Sequence, residues 1–481
     1  MDKLEKLEKE MSVGEMTAES IKKKSKSKPK EKVYFTANFD GLCDLVRNSE
    51  ELKFLMIDGK VLEKVVIEDK VYNPPYKEDL DYLVPEYEKI VAEAKLHDVT
   101  DDTDDKTRAR VGCSYCLKIY KELVKYHKDI SELPDNLYYD LLALWDFHTY
   151  LIEKFIFSPI IYFFADRERG KTRTAKGLIY IARRGVMTET LREANLIRWG
   201  RDHKATLLFD VKNFAKKLAN AQSEDLVYGR AEKGVVASRV LFPEKGAFRD
   251  TVRFEVFGPT VVTSNRMIDD VGSSRTITLE MKPSTKLFLS EPTAEEALYL
   301  KEKLLGMRFA HINQKFNKTP KEETGRLEDM LIGYLRMIKT LFPSVEKNYR
   351  ELKKLIKGQK KETAMDSFEA QILQIILNSE AMVEQGTSML PFETISSMYN
   401  EGKRENLHLD GRSIGRITKA IGFTSKRSSD GTKRGVFYDS ELISKLKLIY
   451  GFEDEEVRVE ADSASVSSDM SEDSGTETPF L

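Results

Sequence analysis

An apolar run from Phe155 to Phe164 ends at Ala165-Asp166-Arg167-Glu168-Arg169-Gly170-Lys171-Thr172, and a second helix-forming stretch follows directly. That order, buried strand, glycine loop, helix, restricts the chain to folds in which a loop and a helix N-terminus converge at one strand end. Gly170 lets the backbone approach anionic oxygens, the loop amides and helix terminus bind them, and Lys171 neutralises their charge. Thr172 is placed to hold a magnesium ion. The octet departs from the GxxxxGK[ST] pattern only at Ala165, while its Gly-Lys-Thr end is intact.

Gly-Lys-Thr occurs by chance, so its surroundings decide. Further apolar runs at Thr206 to Phe209 and Thr260 to Thr263 are separated by enough chain for helical crossovers, which predicts a parallel sheet in an α/β core. The first run ends at Asp210, a carboxylate suited to a magnesium ion held jointly with Thr172. The second runs into Ser264 and Asn265.

This series resembles the AAA+ superfamily and, within it, the MCM-like ATPases and replication helicases encoded by plasmids, viruses and integrated mobile elements. Supporting stretches are Ala37-Asn38-Phe39-Asp40-Gly41-Leu42, Thr149-Tyr150-Leu151, Gly170-Lys171-Thr172, Thr206 to Asp210, and Tyr228-Gly229-Arg230 before Asn265 and Arg275. The resemblance implies a P-loop AAA+ core with a helical lid, ATP and Mg2+ as the bound species, a ring assembly expected to be hexameric, and movement on DNA. It also implies that Asn265 positions a water or the terminal phosphate, that Arg275 reaches a neighbouring subunit's phosphates, and that Arg326 is a second sensor on the lid helix. Many hydrolytic members carry glutamate after the strand-end aspartate, whereas this chain has Val211, which accepts no proton. Another carboxylate such as Glu224 or Glu232 then takes that role, or hydrolysis is slow or absent.

Chain length of 481 residues predicts several domains. Residues 1–32, rich in lysine from Lys22 to Lys32, read as a flexible basic arm, and residues 33–136 as a small N-terminal α/β domain. The core is placed at 137–285, the lid at 286–350 and a charged linker at 351–362. A helix is expected within Leu83 to Leu96, and the Asp101, Asp102, Asp104 and Asp105 cluster reads as a solvated connection. Three cysteines, Cys43, Cys113 and Cys116, are too few for a disulfide scaffold, and Cys113-x-x-Cys116 lacks a second ligand pair nearby, so structural thiols are expected. With a charged start and no apolar span long enough for a bilayer, the expected location is cytoplasmic, or host cytoplasm for a mobile element, without membrane association. No N-terminal segment is large enough for an evident full primase domain, which leaves an external primase or no priming role as the expectation.

Three short helix signals and a hairpin signal within 363–450 predict a winged helix-turn-helix. Arg412, Arg416 and Lys419 lie on or beside its second helix, and Lys426, Arg427, Lys433 and Arg434 flank the turn at Asp430-Gly431, a placement suited to DNA phosphates. A projecting hairpin between Lys233 and Arg253 offers Lys245 as a further DNA contact. Residues 451–481 read as a disordered acidic tail: ten carboxylates stand against Arg458 alone, so the net charge of −2 hides a basic body of about +7. Its apolar tip, Pro479-Phe480-Leu481, suits docking of replication proteins. The leading expectation is an oligomeric DNA translocase or helicase. Its competitor is a nucleotide-gated DNA-binding or scaffolding protein with weak or absent hydrolysis.

Overall fold

The computed structural model describes residues 33–97, 105–268, 270–365, 367–379, 389–405, 408–427, 431, 433–450 and 452. The basic arm, the Asp101 to Asp104 connection, Asp430 and the acidic tail from 453 lie outside the described residues, as does the Cys113 side chain. The chain forms two compact units, Met1–Tyr349 and Arg350–Leu481.

The larger unit is mixed α/β. Its centre is a parallel sheet of five strands, β7 (Ile160–Phe164), β8 (Gly185–Thr188), β9 (Thr206–Asp210), β12 (Thr260–Ser264) and β13 (Thr276–Glu280), ordered β13-β7-β12-β9-β8. Strand β7 is a continuous apolar run and β9 nearly so, and β12, though it carries Thr260, Thr263 and Ser264, is buried throughout, because helices cover both faces of such a sheet. β7 starts later than the apolar run predicts. Ser158 and Pro159 instead form the approach, where Ser158 N–H donates to Ala231 O at 2.9 Å. Between β9 and β12 an antiparallel hairpin, β10 (Val236–Val240) and β11 (Thr251–Glu255), carries residues 241–250 as its tip. Lys245 lies in that tip with its ammonium 3.8 Å from the Phe242 ring centroid, and Phe248 is 99% exposed.

Residues 33–73 form six short strands, β1 (Tyr34–Phe35), β2 (Leu42–Asn48), β3 (Glu51–Met56), β4 (Val61–Leu62), β5 (Val65–Ile67) and β6 (Lys70–Asn73), in two small sheets ordered β1-β6-β5 and β2-β3-β4. The expected helix is shorter than its signal and spans Tyr87–Lys95. Contrary to a free-standing N-terminal domain, this region is bound into the larger unit through buried charge. Asp44 on β2 accepts from Arg183 Nε at 2.6 Å and Arg184 Nε at 2.7 Å, just after the helix Lys171–Ile181. Arg308, on the helix Ala294–His311, donates to Cys43 O at 2.9 Å and to both Glu153 carboxylate oxygens at 2.8 Å. Burial alone would raise both acids, but the guanidinium groups outweigh it: Asp44 is held far below the usual carboxylate range, and Glu153 is lowered to about 2.

The long helices Asp105–Ile130, Leu137–Tyr150 and Arg326–Leu341 complete this unit. Residues 351–362 are not an open linker. They belong to a helix, Glu346–Met365, whose Tyr349, Leu352 and Ile356 recur at helical spacing and are buried. No helix among the described residues is long and apolar enough to cross a membrane.

In the smaller unit, helices Phe368–Asn378, Phe392–Asn400 and Gly411–Ala420 pack with an antiparallel sheet of β14 (Met389–Pro391), β16 (Arg434–Phe437) and β15 (Ser425–Arg427), and Ser440–Tyr450 follows. Asp410 caps the third helix by accepting from Ser413 N–H at 2.8 Å. Ile372, Ile395, Ile414, Phe423 and Val436 fill the common core.

Removing one partner of the Asp44 cluster strands buried guanidinium charge, so Asp44→Ala is expected to cost about 3–5 kcal/mol in urea titrations of the full chain. Both acids have depressed folded pKa values. Their contribution is therefore complete above the unfolded values, about 4, and fades as pH falls toward 2; the stability gap between wild type and Asp44→Asn should narrow over that window.

Candidate nucleotide site

Every strand of the central sheet runs the same way, so the strand ends bring their following residues to one carboxyl edge. Phe164 is in register with Ser264, and Thr263 with Asp210. The strand leading to Asn265 thus lies between the strand of the glycine loop and the strand of Asp210. Backbone bonds lock the three exits together: Ala165 N–H donates to Ser264 O at 3.4 Å, Val211 N–H to Thr263 O at 3.2 Å and Asn265 N–H to Lys212 O at 3.1 Å.

Gly170 caps the helix Lys171–Ile181 with φ 75°, a left-handed conformation that glycine adopts without steric cost. An added Cβ there would meet nothing within 4 Å, so backbone conformation, not crowding, is what selects glycine. Asp166, Arg167 and Glu168 are exposed and Arg169 half-buried, and Glu168 also has positive φ, 62°. Lys171 folds back over the loop, donating from Nζ to Ala165 O at 2.8 Å and to Asp166 O. Burial lowers its pKa, opposed by the carboxylates of Asp210 and Asp166. Thr172 begins the same helix beside it.

Asp210 is half-buried and accepts a short hydrogen bond from Thr263 Oγ1. Sequence reasoning offers no role for Thr263, two residues before Asn265, whose hydroxyl fixes the Asp210 carboxylate. Val211 turns away into the core with Phe209, Phe214 and Leu218 and is 7% exposed.

Two predicted residues lie elsewhere. Glu232 pairs with Arg326 Nη2 at 2.9 Å, and the Arg326 guanidinium stacks 5.1 Å from the Phe157 ring centroid. Phe157 and Glu232 bridge ahead of β7, at the amino edge, about 20 Å along the sheet from the glycine loop. Both side chains are engaged with each other, in a salt bridge that joins the Arg326–Leu341 helix to the core on the side away from the glycine loop. Arg275 also lies at the amino edge, where its carbonyl accepts from Ile160 N–H at 3.0 Å. Its Nη1 donates to Val271 O at 2.9 Å, and the group lies 5.9 Å from the Tyr228 ring centroid. Glu224 is exposed in the first turn of the short helix Glu224–Gly229.

Arg230 has a role that its place in a sequence motif does not reveal. Fully buried, it donates to Ala205 O at 2.8 Å, Val256 O at 3.0 Å, Pro259 O at 2.9 Å and Thr260 Oγ1 at 2.8 Å, fixing the turns that launch β9 and β12. Burial lowers its pKa to about 9.

No family model and no curated protein matches the chain. Among solved structures it is similar to the apo C-terminal region of NrS-1, residues 305–718, with 12% identity over 85% of this chain and 96% of that one, TM-score 0.35. It is also similar to SCCmec type IV Cch, described as an active helicase, with 13% identity, coverage of 87% and 82%, and TM-score 0.33. A third is inhibitor-bound JCV helicase, with 14% identity, coverage of 50% and 61%, and TM-score 0.24. Function is therefore read from this chain's own residues.

Because Gly170 is chosen by φ alone, Gly170→Ala is expected to cost about 1–2 kcal/mol in urea unfolding, and Gly170→Asn less, since asparagine tolerates the left-handed region. Equal losses for the two would show that something other than backbone angle is disturbed.

Proposed function

We propose that the chain is an oligomeric, magnesium-dependent ATPase that translocates on or separates DNA. The observation that carries this reading is the carboxyl edge itself, where the glycine loop, Lys171, Asp210 and the exit to Asn265 meet. The donor set suits a magnesium–triphosphate: an ammonium for phosphate oxygens, loop amides at a helix N-terminus, and a hydroxyl and a carboxylate, Thr172 and Asp210, for the cation. Ala165 to Gly170 cradle the phosphates in this reading, Lys171 offsets the charge that develops on them, and Asn265 orients a water. Magnesium, when bound, neutralises phosphate charge; Thr263 keeps Asp210 aimed for it.

Arg275 stands at the opposite edge of the sheet from these groups, which supports its use in trans. One subunit's amino edge would face the next subunit's carboxyl edge, a head-to-tail contact that closes into a ring, and we assign a hexamer. An AAA+ core with helical lid, followed by a winged helix-turn-helix, describes the element order. In the smaller unit, Arg412, Arg416 and Lys419 are exposed on the helix face opposite Ile414 and Thr418, and Lys426, Arg427, Lys433 and Arg434 are exposed on its hairpin. We assign these seven, with Lys245 on the core hairpin, to DNA.

A second reading rests on Val211. With a valine buried in the core directly after Asp210 and Glu232 at the far edge, the usual water-activating glutamate is replaced, which favours a nucleotide-gated DNA-binding or scaffolding protein with little hydrolysis. DNA-stimulated ATP turnover decides between them: the ATPase reading expects Lys171→Ala to reduce it on the order of 100-fold or more, whereas wild-type turnover equal to that variant selects the second. Arg275→Ala should lose roughly 1000-fold, and mixing it with Lys171→Ala chains should restore turnover; a mixture as inactive as its parts would remove Arg275 from the neighbour's site. Forked-duplex unwinding tests the helicase step. Combined Arg412→Ala, Arg416→Ala and Lys419→Ala should weaken duplex binding and reduce its log–log salt slope by about 2 to 3; an unchanged slope would redirect this unit to protein partners.

A further inference from the structure

Away from the nucleotide site, three side chains with metal-binding atoms converge from three helices. His97 follows the helix Tyr87–Lys95, Cys116 sits within Asp105–Ile130, and His311 ends Ala294–His311. Cys116 Sγ is 3.8 Å from His97 Nδ1 and 3.7 Å from His311 Nε2, and the two ring nitrogens are 3.1 Å apart. A tetrahedral zinc ion, with Zn–S of about 2.3 Å and Zn–N of about 2.0–2.1 Å, spaces its donors about 3.5 Å apart for sulfur to nitrogen and about 3.3 Å for nitrogen to nitrogen. The triangle thus already has the dimensions of a zinc face.

The surroundings agree. His311 Nδ1 lies 2.8 Å from Gln314 Oε1, which accepts its proton and leaves the Nε2 lone pair turned toward Cys116 and His97. His97 and Cys116 are buried, and among the described residues the other ring nitrogen of His97, also buried, has no hydrogen-bond partner. Two imidazoles and a thiol suit zinc better than magnesium or calcium, which take oxygen donors.

We propose that His97, Cys116 and His311 bind one zinc ion that joins these three helices. Binding releases the Cys116 thiol proton to solvent and forms a zinc–thiolate bond, with a fourth donor completing the tetrahedron. The ion then clamps the end of the Ala294–His311 helix, whose Arg308 reaches Glu153 and Cys43, to the long Asp105–Ile130 helix. A His97–His311 hydrogen bond beside a plain thiol is the competing description, and it predicts no metal.

The test uses the full chain produced with zinc present, gel-filtered in metal-free buffer and analysed by elemental mass spectrometry. The expected result is close to one zinc per chain in wild type and in Lys171→Ala, with loss of most zinc in Cys116→Ser and His311→Ala. Stripped wild-type protein titrated with Co2+ should develop a thiolate-to-cobalt charge-transfer band that Cys116→Ser lacks, a readout that stands even where a variant folds poorly. Zinc-free wild type with no cobalt band, or zinc retained equally by both ligand variants, would overturn the site.

Discussion

A buried carboxylate at the start of the chain holds the larger unit together. Asp44 is 4% exposed, faces Arg183 and Arg184, and shares its surroundings with Arg308 and Glu153. Ions taken this far out of water need their donors partnered, and here several reach backbone: Arg184 Nη1 to Ala37 O at 2.6 Å and His203 O at 2.7 Å, and Arg183 Nη2 to Cys43 O. The N-terminal strands, the end of the Lys171–Ile181 helix and the Ala294–His311 helix are therefore tied at one point, so the helix that begins at the glycine loop ends in this cluster.

Legibility in the sequence followed the range of the interaction. β7, β9 and β12 could be read because each has an apolar centre and, apart from the terminal Asp210, no charge, as a strand buried on both faces requires. Segments whose identity depends on distant partners could not. Arg326 carries a helix-start signal, but its destination is set by Glu232, 94 residues earlier. Residues 351–362 look like a solvated charged run until Tyr349, Leu352 and Ile356 are counted at helical spacing. The β13-β7-β12-β9-β8 order, which places Asn265 between the loop and Asp210, is a property of crossovers that no local window contains.

The same distinction applies to His97, Cys116 and His311, which lie 19 and 195 residues apart along the chain. A CxxC without a nearby second pair reads as structural thiols because ligand motifs are recognised by proximity in sequence. Helices returning to one place supply ligands with no such spacing. Arg230 is a parallel case: a basic residue that sequence assigns to a surface or a ligand is used, fully buried, to tie backbone carbonyls at the amino edge.

Val211 has an evolutionary consequence. Its side chain is packed among Phe209, Phe214 and Leu218, so a glutamate there would leave a carboxylate in an apolar interior, at a cost of several kcal/mol unless it stayed protonated. One substitution does not turn this lineage into a chain with paired acids at the strand end. A charged side chain at this position would require the Phe214–Ala221 helix behind the strand to be reshaped at the same time, so the residue and its packing can change only together.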